Sequence, residues 1–113
     1  MKNALIVDDD PQIVSYIKKV LEAAGYEVVT STDFKDARQQ VQRHRPGVVV
    51  ADVRLGDFNG IQIGMLAKSA RPDVRVVIIS GWDDTVLRHE AADLGAIYLQ
   101  KPFTPDQLLS ALA

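Results

Sequence analysis

Short runs of consecutive apolar residues alternate along this chain with longer stretches in which apolar positions recur every three or four residues. The first pattern fits a strand covered on both faces, the second an amphipathic helix. Residues 5–7, Leu-Ile-Val, form the first strand. Asp10-Pro11 then opens a helix, with an acid at the cap and proline at the first helical position. Ile13, Val14, Ile17, Val20, Leu21 and Ala24 keep its stripe, and Gly25 stops it. Residues 26–30 read as a second strand, and Phe34, Ala37 and Val41 mark a second helix that ends before Pro46. Residues 48–51, Val-Val-Val-Ala, show no polar alternation, which predicts the centre of the sheet. Asn59-Gly60 closes the loop that follows, and a third helix covers 61–70, ending before Pro72. Residues 74–79 repeat the buried-strand pattern, with Arg75 as the exception. A fourth helix spans about 84–94 with Gly95 as its stop. Residues 97–99 give a short fifth strand, and Thr104-Pro105-Asp106-Gln107 has the form of a capping box opening a last helix. Five strands alternating with five helices predict right-handed crossovers and an α/β fold, a doubly wound five-stranded parallel sheet with helices on both faces.

Length and composition narrow this picture. A chain of 113 residues with 47% hydrophobic content supports one domain with a single core. The last helix has only about nine residues before the chain ends, short for an element covering a sheet, so it is expected to be truncated and the chain to be an excised domain, 1–113. The absence of cysteine excludes disulfides, thiolate metal sites and thiol catalysis, and it fits a reducing compartment. No apolar run approaches the roughly 20 residues of a membrane span, and no cleavable leader follows Met1, which reads as the start of a soluble, cytoplasmic protein. The formal charge of -2 argues against nonspecific nucleic-acid binding. Arg43-His44-Arg45 reads as a solvated helix end that suits the C-terminal dipole.

The candidate chemistry lies where the strands end. Asp8, Asp9 and Asp10 follow the first strand, Asp52 the third, Ser80 the fourth and Lys101-Pro102 the fifth. In an open parallel sheet these positions converge at one edge, where such sheets place their chemistry. Asp10 is assigned to the helix cap. Asp8, Asp9 and Asp52 then form a carboxylate group suited to a hard cation such as Mg²⁺. Like charges so close raise each other's proton affinity unless a cation intervenes. Asp52 is the candidate nucleophile. Ser80, beside the open approach at Gly81, can donate to a phosphoryl oxygen, and Lys101 can bind one as a point charge.

With these residues in place the chain resembles the receiver domain of a two-component response regulator, over essentially its whole length. The resemblance rests on Val7-Asp8-Asp9, on Asp52 with Gly60 closing its loop, on Ser80-Gly81, and on Tyr98-Leu99-Gln100-Lys101-Pro102-Phe103. Each motif alone is weak; four in order at these spacings are specific. The family implies that Asp52 accepts a phosphoryl group from a phosphohistidine on a sensor histidine kinase or histidine phosphotransfer protein. It implies Mg²⁺ held by Asp9 directly, Asp8 mainly through water, Asp52 and the backbone carbonyl of Arg54, with Ser80 and Lys101 on the phosphoryl oxygens. It further implies strand order 2-1-3-4-5, a cis Lys101-Pro102 bond, a switch formed by Ser80 and Tyr98, and tuning of dephosphorylation by Arg54 and Trp82. Such a domain catalyses its own phosphorylation and dephosphorylation without turning over an external substrate. Its implied output surface is the face of the fourth helix, fifth strand and fifth helix, with no direct contact to nucleic acid or membrane. The ending Leu-Gln-Lys-Pro-Phe-Thr-Pro is similar to that of receivers fused to hybrid histidine kinases. Gly56 stands where proline is usual, which predicts a looser loop after Asp52, and Gly47 replaces a frequent acid.

Two other readings share parts of the pattern. A haloacid dehalogenase-type phosphatase also uses an Asp after its first strand, but Asp10-Pro11 looks like a helix start and no later acidic pair at a strand end is evident. A flavodoxin-like cofactor-binding module wants a hydroxyl- or glycine-rich phosphate loop after the first strand. Three acids stand there instead.

Overall fold

Two of the helices begin at the caps read from the sequence, Asp10 and Thr104, and two more at Asp84 and Asn59, which the sequence reading places inside a helix and in a loop closure. The Asp10 carboxylate accepts from the Gln12 N–H with Pro11 at the first helical position, and Asp84 caps its helix by accepting from Leu87. Thr104 and Gln107 close a capping box, as do Asn59 and Gln62. Each satisfies backbone N–H groups that a helix start leaves without partners. The chain is described by a computed structural model covering residues 2–113; Met1, read above as the start of the protein, lies outside the described residues.

Among the described residues the order is β1 (Asn3–Val7), α1 (Pro11–Ala23), β2 (Glu27–Ser31), α2 (Phe34–His44), β3 (Val48–Asp52), α3 (Gly60–Ala70), β4 (Arg75–Ser80), α4 (Thr85–Leu94), β5 (Ile97–Gln100) and α5 (Pro105–Leu112). All strand pairs are parallel, in the order β2-β1-β3-β4-β5. This is the doubly wound sheet predicted from the alternation of elements. The strands run about one residue further than the apolar runs alone implied, since Asp52 and Ser80 are still paired or aligned in the ladder at its edge.

Successive side chains of each strand enter two cores. Leu5, Val7, Val49, Ala51, Val76 and Ile78 pack with Ala37 and Val41 of α2, Ile63 and Ala67 of α3 and Ala91 of α4. Ala4, Ile6, Val50, Val77 and Ile79 pack on the other face with Val14, Ile17 and Leu21 of α1 and Leu108 and Leu112 of α5. All five residues of β3 are buried, which explains its unbroken apolar run. Short as it is, α5 buries two leucines.

Two local features differ from the sequence reading. Helix α2 ends on Arg45 in the left-handed conformation (φ 44°) without a glycine. The Arg45 guanidinium donates from Nε and Nη2 to the Ala70 carbonyl (3.1 and 2.7 Å), and Arg71 donates from Nη1 to the Arg45 carbonyl at 3.3 Å. The C-terminal ends of α2 and α3 thus cap each other. The loop after β3 was expected to be loose at Gly56. Instead Leu55 and Phe58 exchange two backbone hydrogen bonds (2.9 and 3.1 Å) around a two-residue turn, in which Gly56 takes φ 64°. Phe58 also stacks on Phe34 of α2, with ring centroids 4.2 Å apart.

Candidate functional site

Because β1, β3, β4 and β5 run in one direction, their C-terminal ends bring Asp8, Asp52, Ser80 and Lys101 to one rim. Asp8 and Ser80 are fully buried and Asp52 is 7% exposed, while Asp9 is exposed. One carboxylate oxygen from each of Asp8, Asp9 and Asp52 lies within 4.8 Å of the other two. That spacing lets all three reach one ion. The Lys101 ammonium bridges the two buried acids, donating to Asp8 Oδ2 at 3.1 Å and to Asp52 Oδ2 at 3.4 Å. Asp8 Oδ1 accepts from the Asp10 N–H at 2.9 Å, and Asp52 Oδ1 from the Arg54 N–H at 3.3 Å.

The electrostatics are strained. Burial pushes the Asp8 pKa from the usual 3.8 up to about 6; the Asp10 N–H opposes this, Asp52 adds to it, and Lys101 opposes it. Burial also works against the charge on Lys101, but its hydrogen bond to Asp8 and the attraction of Asp52 and Asp8 outweigh that and raise its pKa above 10.5. One ammonium serves two carboxylates, and a third acid stands beside them. A divalent cation fits this set of hard oxygen donors. The backbone offers a further donor: the Val53 and Leu55 carbonyls accept from Gly60 and Phe58, whereas among the described residues no group donates to the carbonyl of Arg54.

The frame around Asp52 is tight. Helix α3 starts against it so closely that a Cβ on Gly60 would overlap the Asp52 carbonyl oxygen, and the Gly60 N–H donates to the Val53 carbonyl at 3.2 Å. The Lys101 N–H donates to the Ser80 carbonyl at 2.7 Å, joining the ends of β4 and β5, and the Lys101-Pro102 bond is cis, as the resemblance implies.

Outside the acids, Arg54 and Trp82 meet. The Arg54 guanidinium lies over the indole, 3.7 Å from the ring centroid, and both border a cavity of about 650 Å³ lined also by Asp57, Asn59, Asp84 and Leu87. Ser80 Oγ accepts from the Trp82 N–H at 3.1 Å, and the Tyr98 hydroxyl donates to the Trp82 carbonyl at 2.7 Å. The structure therefore gathers every residue singled out from the sequence, Asp8, Asp9, Asp52, Arg54, Ser80, Trp82, Tyr98 and Lys101, around one rim. The stacking of Arg54 on Trp82 and the Phe34–Phe58 pair had no local sequence signal, because their partners lie more than twenty residues apart.

Residues 4–113 match the family described as the response regulator receiver domain. The chain is 31% identical over 112 residues to the acid tolerance regulatory protein ActR of Sinorhizobium medicae, covering 98% of this chain and 58% of that protein. It is 36% identical over 115 residues to the two-component response regulator PprB of Pseudomonas aeruginosa, covering 97% of this chain and 42% of that protein. The chain thus spans about half the length of these relatives. Among solved structures, a response regulator from Burkholderia pseudomallei with a phosphorylated aspartic acid, calcium ion and citrate superposes with a TM-score of 0.92 at 25% identity, over 100% of this chain and 67% of that one. The rim of acids at the ends of β1 and β3 stands within a fold and a sequence that agree on one assignment: the chain belongs to the response regulator receiver domain family.

Proposed function

We propose that this domain takes a phosphoryl group from a phosphohistidine, on a sensor histidine kinase or a histidine phosphotransfer protein, onto Asp52. The observation that carries the reading is the gathering of the Asp8, Asp9 and Asp52 carboxylates within 4.8 Å, with one ammonium on the two buried ones. A fold gains no stability from that arrangement; a site for phosphoryl transfer requires it. Asp8, Asp9, Asp52 and the Arg54 carbonyl are the groups to hold Mg²⁺, which when bound neutralises phosphoryl oxygen charge.

The protein's own tasks are alignment and charge stabilisation. An Asp52 oxygen attacks phosphorus in line as the bond to the imidazole nitrogen breaks, and the electron pair leaves with the histidine. Lys101, already 3.4 Å from Asp52, meets the negative charge on the phosphoryl oxygens. Ser80 turns its hydroxyl proton toward one of them. The resulting acyl phosphate adds about -1.5 to -2 charge by analogy with other phosphorylated side chains. That charge biases Ser80 and the loop that follows it with Trp82, and through them Tyr98, between two arrangements. The altered surface is the α4, β5 and α5 face, where Val86 and Ile97 expose apolar side chains. An output domain or separate partner docks there.

Incubation with a small phosphodonor and Mg²⁺, followed by intact-mass measurement, tests the assignment. Wild type gains one phosphoryl group and Asp52→Asn gains none; a wild type whose mass never rises rejects it. The Arg54–Trp82 stack gives a second expectation. Its bulk beside Asp52 obstructs the in-line path of a hydrolysing water, so the phosphoryl group outlives that of the Arg54→Ala and Trp82→Ala variants. Equal decay rates for all three proteins would refute that part.

A further inference from the structure

The loop that follows Ser80 at the end of β4 and carries Trp82 is fastened from outside the acidic pocket as well as from within it. The Tyr98 hydroxyl donates to the Trp82 carbonyl at 2.7 Å. Over the Tyr98 ring lies the guanidinium of Arg88, 4.6 Å from the ring centroid, and Arg88 Nε donates to the Asp83 carboxylate. Asp83 directly follows Trp82. The contacts therefore close a ring: loop carbonyl to Tyr98 on β5, Tyr98 ring to Arg88 on α4, and Arg88 back to the loop. On the pocket side the same loop is held by the Trp82 N–H on Ser80 Oγ and by Arg54 on the indole.

A half-buried tyrosine at the edge strand of the sheet has room to swing outward. A guanidinium over its face opposes that swing by cation–π attraction, and the pairing with Asp83 limits where the guanidinium can go. We propose that Arg88 is a positioning residue: it holds Tyr98 on the Trp82 carbonyl before any phosphoryl group arrives, and so pre-sets the loop that presents Ser80. The inference rests on the reading above that Ser80 meets the phosphoryl oxygens. Arg88 touches none of the reacting atoms. Its effect follows from linkage, because whatever stabilises the arrangement a ligand needs tightens the binding of that ligand.

The test is a titration with beryllofluoride in Mg²⁺, a phosphoryl mimic that coordinates a carboxylate without transferring, followed by the fluorescence of Trp82, the only tryptophan in the chain. Arg88→Ala is expected to shift the midpoint to about two- to fivefold higher concentration, the worth of one exposed cation–π contact. Arg88→Lys, which keeps a cation, recovers most of the loss. In a Tyr98→Leu background, removing Arg88 has no further effect. Arg88 is exposed, and thermal melts of each variant verify that the fold is retained. An unchanged or tighter midpoint in Arg88→Ala overturns the proposal, as does an equal shift with and without Tyr98. A wild type that never responds to beryllofluoride overturns the phosphoacceptor reading and this inference with it, whereas a responding wild type beside an indifferent Arg88→Ala overturns the inference alone.

Discussion

The two ends of the sheet both gather like charges, and they treat them in opposite ways. At the ends where β3 and β4 start, Arg45 and Arg71 stand at the termini of α2 and α3, where the helix dipoles favour cations, and each donates to a carbonyl at the other's helix end. Their charges stay near water and their hydrogen bonds satisfy groups that a helix end leaves open. At the far ends, Asp8 and Asp52 are taken out of water beside each other with one lysine between them. The basic edge is what packing and capping alone produce. The acidic edge runs against both, and that conflict is the physical sign of a site.

The comparison can be broken most forcefully through pH. Asp8 has its folded pKa raised from 3.8 to about 6, so the folded state holds its proton more tightly than the unfolded chain does. The stability this group contributes is present below pH 3.8 and is lost as pH rises through 6. The difference corresponds to about 3 kcal/mol. Denaturant melts across pH 3.5–7 without divalent ions should show this decline in wild type relative to Asp8→Asn, and added Mg²⁺ should flatten it. Curves that run parallel would mean that the acidic edge carries no such strain.

A smaller effect comes from Asp52→Asn, which removes one of the clustered carboxylates while leaving Lys101 on Asp8. The melting temperature without divalent ions is expected to rise by about 4 °C, the equivalent of ~1 kcal/mol. A fall would place Asp52 among the stabilising residues and erase the contrast. At the basic edge the sign reverses. Arg45→Ala loses the donors to Ala70 and keeps the unfavourable left-handed backbone, so it should cost about 1 kcal/mol. Arg45→Gly relieves the backbone and should be nearly neutral. Neither change should alter the mass gained from a phosphodonor.

Much of this was legible in the sequence because the decisive signals are local. An apolar run ending in Asp52, Ser80 or Lys101 fixes a strand and its terminal side chain together, and parallel topology does the rest. Pairs such as Asp10-Pro11 and Thr104 with Gln107 announce helix starts within one turn. Asn59 with Gln62 carried the same signal and passed for a simple loop closure. What the sequence could not display are partnerships between distant positions. Arg45 reads as one of three charges at the end of α2, and only the packing of α2 against α3 gives its guanidinium the Ala70 carbonyl. The order in the loop at Gly56 likewise depends on Phe34, which reaches Phe58 from another element.

Gly60 touches the main chain of Asp52, the residue proposed to accept the phosphoryl group. Helix α3 begins against the main chain of residue 52, so a single methyl group at position 60 must displace either the helix or that carbonyl. On the proposed reading, reactivity at Asp52 is thereby coupled to the seating of a whole helix. Gly60→Ala thus becomes a ruler, one carbon long, for how finely phosphoryl chemistry depends on backbone position.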